Sequence, residues 1–273
     1  MVLVKGLYIT ADRYFLILLV PAIALGVWRR YLVDWVPFIG LMLAYEYVRG
    51  WAWLVNDTWW HRGPSFQPMI DVDRFLFFGH LPNELLQHAL WTGHLTWFDH
   101  VIGAFDHAHF FVPPTLLFLI WLERRDLFYR CALTLVVVSF AGAIVFFLFP
   151  AAPPWLASQL HHGIHVVRIG AIEGDSNGLP QGRSILTRRL HVNPVAAVPS
   201  LHAAYALLTC MFAYAWRRRV GIAFVLYPLT MWFTIIYLGD HYVSDILAGV
   251  AFALVGWWAV GRLPWFRPRE APA

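Results

Sequence analysis

The chain has 273 residues, 60% of them hydrophobic and only 13% charged, about half the charged share of an ordinary water-soluble domain. That composition excludes a conventional soluble globule, and apolar stretches of roughly 17–25 residues, enough to cross a hydrocarbon core, recur along the chain. The net charge is +4, but the positions of the arginines say more than their sum, and no nucleic-acid partner is expected.

In chain order, the opening MVLVKGLYITADR leads into an apolar run that ends at Arg29-Arg30 without a small-residue cleavage site, so a retained helix is expected over a signal peptide. Apolar segments cover 14–28, 35–55, 110–122, 131–149, 200–216, 221–238 and 243–260. The third contains Pro113-Pro114 and is expected to be kinked or to extend back through His107 and Ala108. The segment 56–108 is too polar to span and too aromatic for a free linker. Its Asp57-Thr58-Trp59-Trp60 and Leu95-Thr96-Trp97-Phe98 read as interfacial anchors, and 73–90 as one amphipathic helix lying on the bilayer. The loop 150–199 holds the turn sequence Gly174-Asp175-Ser176-Asn177-Gly178-Leu179-Pro180. Cys131 and Cys210 sit inside apolar stretches and indicate neither a disulfide framework nor a thiolate metal site.

The expected fold is therefore all-α: a polytopic membrane helix bundle of about six or seven spans with amphipathic interfacial helices on one side. Arginines at 29, 30, 124, 125, 130, 217, 218, 219, 262, 267 and 269 all fall at one end of these spans, and every histidine falls at or near the other. Short cytoplasmic connections carry excess Lys and Arg, which assigns the histidine end to the extracytoplasmic side.

Two motifs at that end concentrate the chemistry: Pro199-Ser200-Leu201-His202-Ala203-Ala204 opens the fifth span and Gly239-Asp240-His241-Tyr242-Val243-Ser244-Asp245 opens the seventh. Spans five and six form a hairpin of matched length, which brings His202 and His241 to one depth. The four-residue spacing of His241 and Asp245 puts both on one helix face. There a carboxylate can hold one ring nitrogen as a donor and leave the other free to attack phosphorus, while a protonated second histidine serves the leaving oxygen. Ser200 is a plausible N-cap, and the N–H groups it leaves exposed suit phosphoryl oxygens. An unpaired His or Asp at this depth costs several kcal/mol, which favours function over packing.

PSLHAA and GDHYVSD resemble the second and third signature motifs of the type 2 phosphatidic acid phosphatase (PAP2) superfamily. The superfamily's usual first motif, a Lys followed by Arg-Pro, is missing, and Ile235 stands where an Arg is usual. Instead, FPAAPPW (149–155) and TIIYL (234–238) resemble the inositol phosphorylceramide synthase, or aureobasidin-target (AUR1-like), branch. The resemblance covers roughly 105–260 and divides one integrated membrane domain into N-terminal helices (1–104), a catalytic core (105–261) and a tail (262–273). It implies a covalent phosphohistidine mechanism with His241 as nucleophile, Asp245 as its orienting carboxylate and His202 as acid and base. It also implies transfer of a phospho-head-group, such as phosphoinositol from phosphatidylinositol, to a lipid or glycolipid hydroxyl. Asp240, where fungal synthases tend to have His, bears on the acceptor.

With the usual cations missing, Arg183, Arg188 and Arg189 are the expected phosphate ligands, and Ser200, His109 and Tyr242 are further substrate-binding candidates. His161, His162 and His165 together with His88, His94, His100 and His107 raise a zinc reading; the lack of an HExxH motif and of cysteines in these segments argues against it, so no metal and no cofactor is expected. The rivals are a lipid hydrolase of the same superfamily and, from another class, a transporter or flippase with His and Asp as relay groups. High Arg and low Lys usage suggests a bacterial plasma membrane.

Overall fold

The computed structural model describes residues 11–160, 163–170 and 193–266. All seven apolar segments form helix. α1 (Ala11–Ala24) and α2 (Trp28–Leu54) form the first pair. α6 (Val112–Glu123) and α7 (Arg125–Leu148) follow after a collar of short helices. α9 (Leu201–Trp216), the broken pair α10 (Arg218–Ala223) and α11 (Leu226–Tyr237), and α12 (Val243–Gly261) complete the bundle. The collar comprises α3 (Gln67–Leu76), α4 (Pro82–Leu90), α5 (Trp97–Ala108) and α8 (Pro154–Gln159). Among the described residues there is no strand beyond isolated bridges joining Ser65, Ala151 and Ala196.

Three elements are long and apolar enough to cross a membrane: α7, α10 with α11, and α12. The pair α5–α6, bent by 41°, makes a fourth if it is one span; α1 and α9 are apolar but shorter. Large apolar side chains on the outside of these helices, such as Leu16, Ile144, Val255 and Trp258, stand largely exposed, the surface of an integral membrane protein whose solvent is lipid. α7 packs on α2, α6, α9 and α12, and α9 in turn on α6, α11 and α12, so these two helices form the centre of the bundle. Their contacts bury Leu135, Val138, Phe146, Leu208 and Phe212.

At the arginine-rich end, the buried Asp34 carboxylate accepts both Arg125 nitrogens (2.6 and 2.5 Å), Trp121 Nε1 (2.8 Å) and Tyr129 Oη (2.6 Å). Its charge is fully satisfied, and it fastens α2 to α6 and α7.

At the histidine end, the single amphipathic helix expected over 73–90 is two helices. Phe78 and Gly79 take left-handed backbone angles (φ 54° and 94°), which end α3, and Pro82 opens α4 at a first-turn position where its missing N–H costs nothing. Phe75 and Phe78 protrude from this break, 84% and 94% exposed. Part of the collar's polar surface points inward. Asp73, Asn83 and Gln87 are buried and bond to backbone groups far away in sequence, so a division at 104 is one of sequence and not of packing. The turn at 174–180, His161, His162, and the arginines at 183, 188, 189, 267 and 269 lie outside the described residues.

Candidate active site

α9 starts at Leu201 because Ser200, in extended conformation, accepts the Ala203 N–H on its Oγ (3.2 Å). α12 starts at Val243, where the Asp245 carboxylate accepts the Tyr242 N–H (2.9 Å). The two helix starts are tied to each other: the Ser200 N–H donates to the Asp245 carbonyl at 3.0 Å. Gly249 allows this approach, since a Cβ there would lie 2.2 Å from the Ser200 carbonyl oxygen.

This junction brings the two predicted histidines into contact. His202 Nδ1 lies 3.3 Å from His241 Nε2, and His241 Nδ1 lies 3.3 Å from Asp245 Oδ2. Asp245 is fully buried and His241 nearly so. With the Nδ1–H of His241 directed at the carboxylate, the Nε2 lone pair faces His202. Both separations sit at the long end of the hydrogen-bond range, as in catalytic sites without substrate.

The four-residue spacing of His241 and Asp245 predicts two positions on one helix face. In fact His241 precedes α12 by two residues and belongs to the turn after Gly239 (φ 83°). The collar, not a helix, fixes it. Asn83 Nδ2 donates to the carbonyls of Ile236 (2.8 Å) and His241 (2.9 Å), and Gln87 Nε2 donates to those of Tyr237 and Val167 (2.8 Å each). Asp73 accepts the Val243 and Ser244 N–H groups (2.8 Å each) at the first turn of α12. Burial holds its carboxyl above the usual carboxylate range while those two amides pull the other way.

His109 joins the pair. Its ring centroid lies 4.7 Å from that of His202 and 5.5 Å from the parallel Tyr205 ring, whose Oη meets Ser139 Oγ at 2.5 Å. Asp106, one turn earlier, lies within electrostatic range of His241 and Asp240. Asp240 in turn pairs with Arg168 (3.3 Å), which stacks over Trp155. Tyr242 is different. Its ring is fully buried in an apolar cluster with Met69, Ile70, Leu81 and Val166, so it packs the collar onto the bundle and does not face the histidines. Ser200 is likewise fully buried, its Oγ occupied as a cap. Among the described residues, no three His, Cys, Asp or Glu side chains are grouped to hold a metal ion.

The residues missed in the sequence are Asp73, Asn83 and Gln87, which look like the polar face of a surface helix, and Glu46 and Arg49 on α2. The only signal for the second group is a pair of charges inside an apolar run.

Two histidine motifs at the mouths of adjoining helices agree with the family comparison, in which the PAP2 superfamily profile matches residues 67–259. The chain belongs to the PAP2 superfamily. Within it, similar proteins are the phosphoinositol dihydroceramide synthase of Bacteroides thetaiotaomicron (33% identical over 54% of this chain and 50% of that protein) and the inositol phosphorylceramide synthase catalytic subunit aur1 of Schizosaccharomyces pombe (30%, over 45% and 30%). The Saccharomyces cerevisiae catalytic subunit AUR1 is 27% identical over 42% of this chain and 29% of its own. The aligned part thus spans half or less of these PAP2 relatives. No solved structure matches the chain significantly.

Proposed function

We propose that this protein is a membrane-embedded lipid phosphotransferase that moves a phospho-head-group, phosphoinositol from phosphatidylinositol, to the hydroxyl of an acceptor lipid or glycolipid. The observation that carries this reading is the line Asp245–His241–His202, in which one imidazole is oriented by a buried carboxylate and aimed at a second imidazole. His241 Nε2 attacks phosphorus while its Nδ1–H stays on Asp245, which stabilises the charge that develops on the ring. The bond to the diacylglycerol oxygen breaks, and His202 delivers a proton to that oxygen. His202, now neutral, takes the proton of the acceptor hydroxyl, whose oxygen displaces His241 from phosphorus and regenerates the site. His109 lines the space beside His202, and Arg183, Arg188 and Arg189 remain candidate phosphate ligands.

The names of the similar proteins support phosphoinositol transfer, and the near-complete burial of His241 favours a lipid hydroxyl over water as acceptor. The reading includes a bundle of six or seven spans in a bacterial plasma membrane, with the histidine end extracytoplasmic, in keeping with the one-sided arginines. The histidine pair sits at one end of its helices and not at their middle, the opposite of what substrate transport requires.

The test is mass spectrometry of products after incubating purified protein with a phospholipid panel and acceptor lipids in EDTA, beside His241→Ala. Transfer of a head group by the wild type alone supports the proposal; release of water-soluble phosphate or phosphoinositol with acceptor present replaces it with hydrolysis.

A further inference from the structure

Transfer of a phosphodiester head group at this site concentrates negative charge on the two non-bridging oxygens beside a buried carboxylate, so a cation must face the histidines. Resting on the functional reading above, we propose that Arg49 of α2, outside the family-matched residues 67–259, binds the non-bridging oxygens of the donor lipid's phosphate, with Glu46 as its partner in the empty site.

Four observations place it. Ser139 Oγ on α7 touches both Met42 Sδ on α2 (3.8 Å) and Tyr205 Oη on α9 (2.5 Å), which brings the tips of these two side chains together. Counted along its own helix toward the histidine end, Arg49 lies seven residues beyond Met42, about 10 Å, and His202 three residues beyond Tyr205, about 4.5 Å. Helical side chains lean toward their own N-terminus, and in α2 that direction carries the arginine arm back from the histidine end. Arg49 Nη2 follows it, meeting Glu46 Oε2 one turn below at 2.7 Å.

Second, Arg49 lies within electrostatic range of both His202 and Tyr205, with a smaller effect on His202 than His109 or His241 has. Third, its Nε is buried and has no hydrogen-bond partner among the described residues, which leaves a donor for an incoming oxygen. Fourth, its backbone is tied to the strap that leads into α9. Asn193 Nδ2 donates to the Arg49 carbonyl (3.0 Å), and Asn193 Oδ1 accepts the Val195 N–H (3.0 Å). Among the described residues, Arg168 also lies near the pair; it is held by Asp240 and Trp155, with its side chain 46% exposed against 36% for Arg49.

Binding of orthovanadate, a phosphate-like oxyanion, to the detergent-solubilised full chain is followed by thermal shift, alongside steady-state transfer kinetics. Arg49→Gln is expected to weaken vanadate binding about 10- to 100-fold, the range of a charged hydrogen bond, to raise KM and to lower kcat. Arg49→Lys recovers part of the binding, Glu46→Gln retains or tightens it, and Arg219→Gln, an exposed arginine at the opposite end, leaves both readouts unchanged. Wild-type vanadate affinity and turnover in folded Arg49→Gln overturn the proposal. So does an equal loss in Arg49→Gln and Glu46→Gln, which marks a structural ion pair. The functional reading fails separately, if vanadate binds through Arg49 in a protein that transfers no head group.

Discussion

At the scale of single residues, the three groups in line make distinct demands. His241→Ala removes the proposed nucleophile and is expected to abolish turnover without unfolding the protein. Asp245→Asn keeps the shape but lets the ring take the wrong tautomer, and is expected to cost about two to four orders of magnitude in kcat. His202→Ala should cost as much with a natural lipid donor. With a donor whose aryl oxide leaves without a proton, most of the first-step rate should survive, which stopped-flow detection of the released phenol measures. Equal losses with both donors would remove His202 from the role of acid.

At the scale of elements, the collar holds the histidine-bearing turn through buried polar side chains. Asn83→Leu preserves volume but strands the carbonyl of His241, while that of Ile236 keeps the Gly239 N–H. It is expected to cost about 1–3 kcal/mol per unsatisfied group, seen as a lower Tm in detergent together with reduced kcat. Gly249→Ala puts a methyl against the Ser200 carbonyl and is expected to destabilise by about 1–3 kcal/mol while separating the two histidines; wild-type activity in that variant would mean the helix contact does not set their spacing. The helices themselves were legible as apolar runs, and the two histidines as motifs at helix mouths. The clamp was not. Asp73, Asn83 and Gln87 bond to backbone groups between 80 and about 170 residues away, and no local pattern distinguishes such a side chain from one facing water. The break at Phe78-Gly79 was hidden for a similar reason, because hydrophobic periodicity continues across it. Tyr242, adjacent to His241, looked like a site residue, but the turn reverses its direction into the apolar collar.

At the scale of the whole molecule, the arginine-rich end and the histidine end should lie on opposite faces of the membrane. In a chain with Cys131 and Cys210 replaced, a cysteine at Thr58 is expected to react with an impermeant maleimide added outside intact cells, and one at Arg218 only after lysis; the reverse pattern inverts the topology.

The collar also bears on how the proposed lipid donor would arrive. With α3 and α4 seated over the turn that bears a nearly buried His241, the two-tailed donor proposed above is expected to enter sideways from its own leaflet. Encounter is then a two-dimensional search, and the quantity that sets its rate is the mole fraction of donor within the bilayer, not its molarity in the tube. Diluting the donor with inert lipid at fixed bulk concentration should slow the reaction, whereas diluting the whole vesicle suspension should leave the rate per protein molecule unchanged.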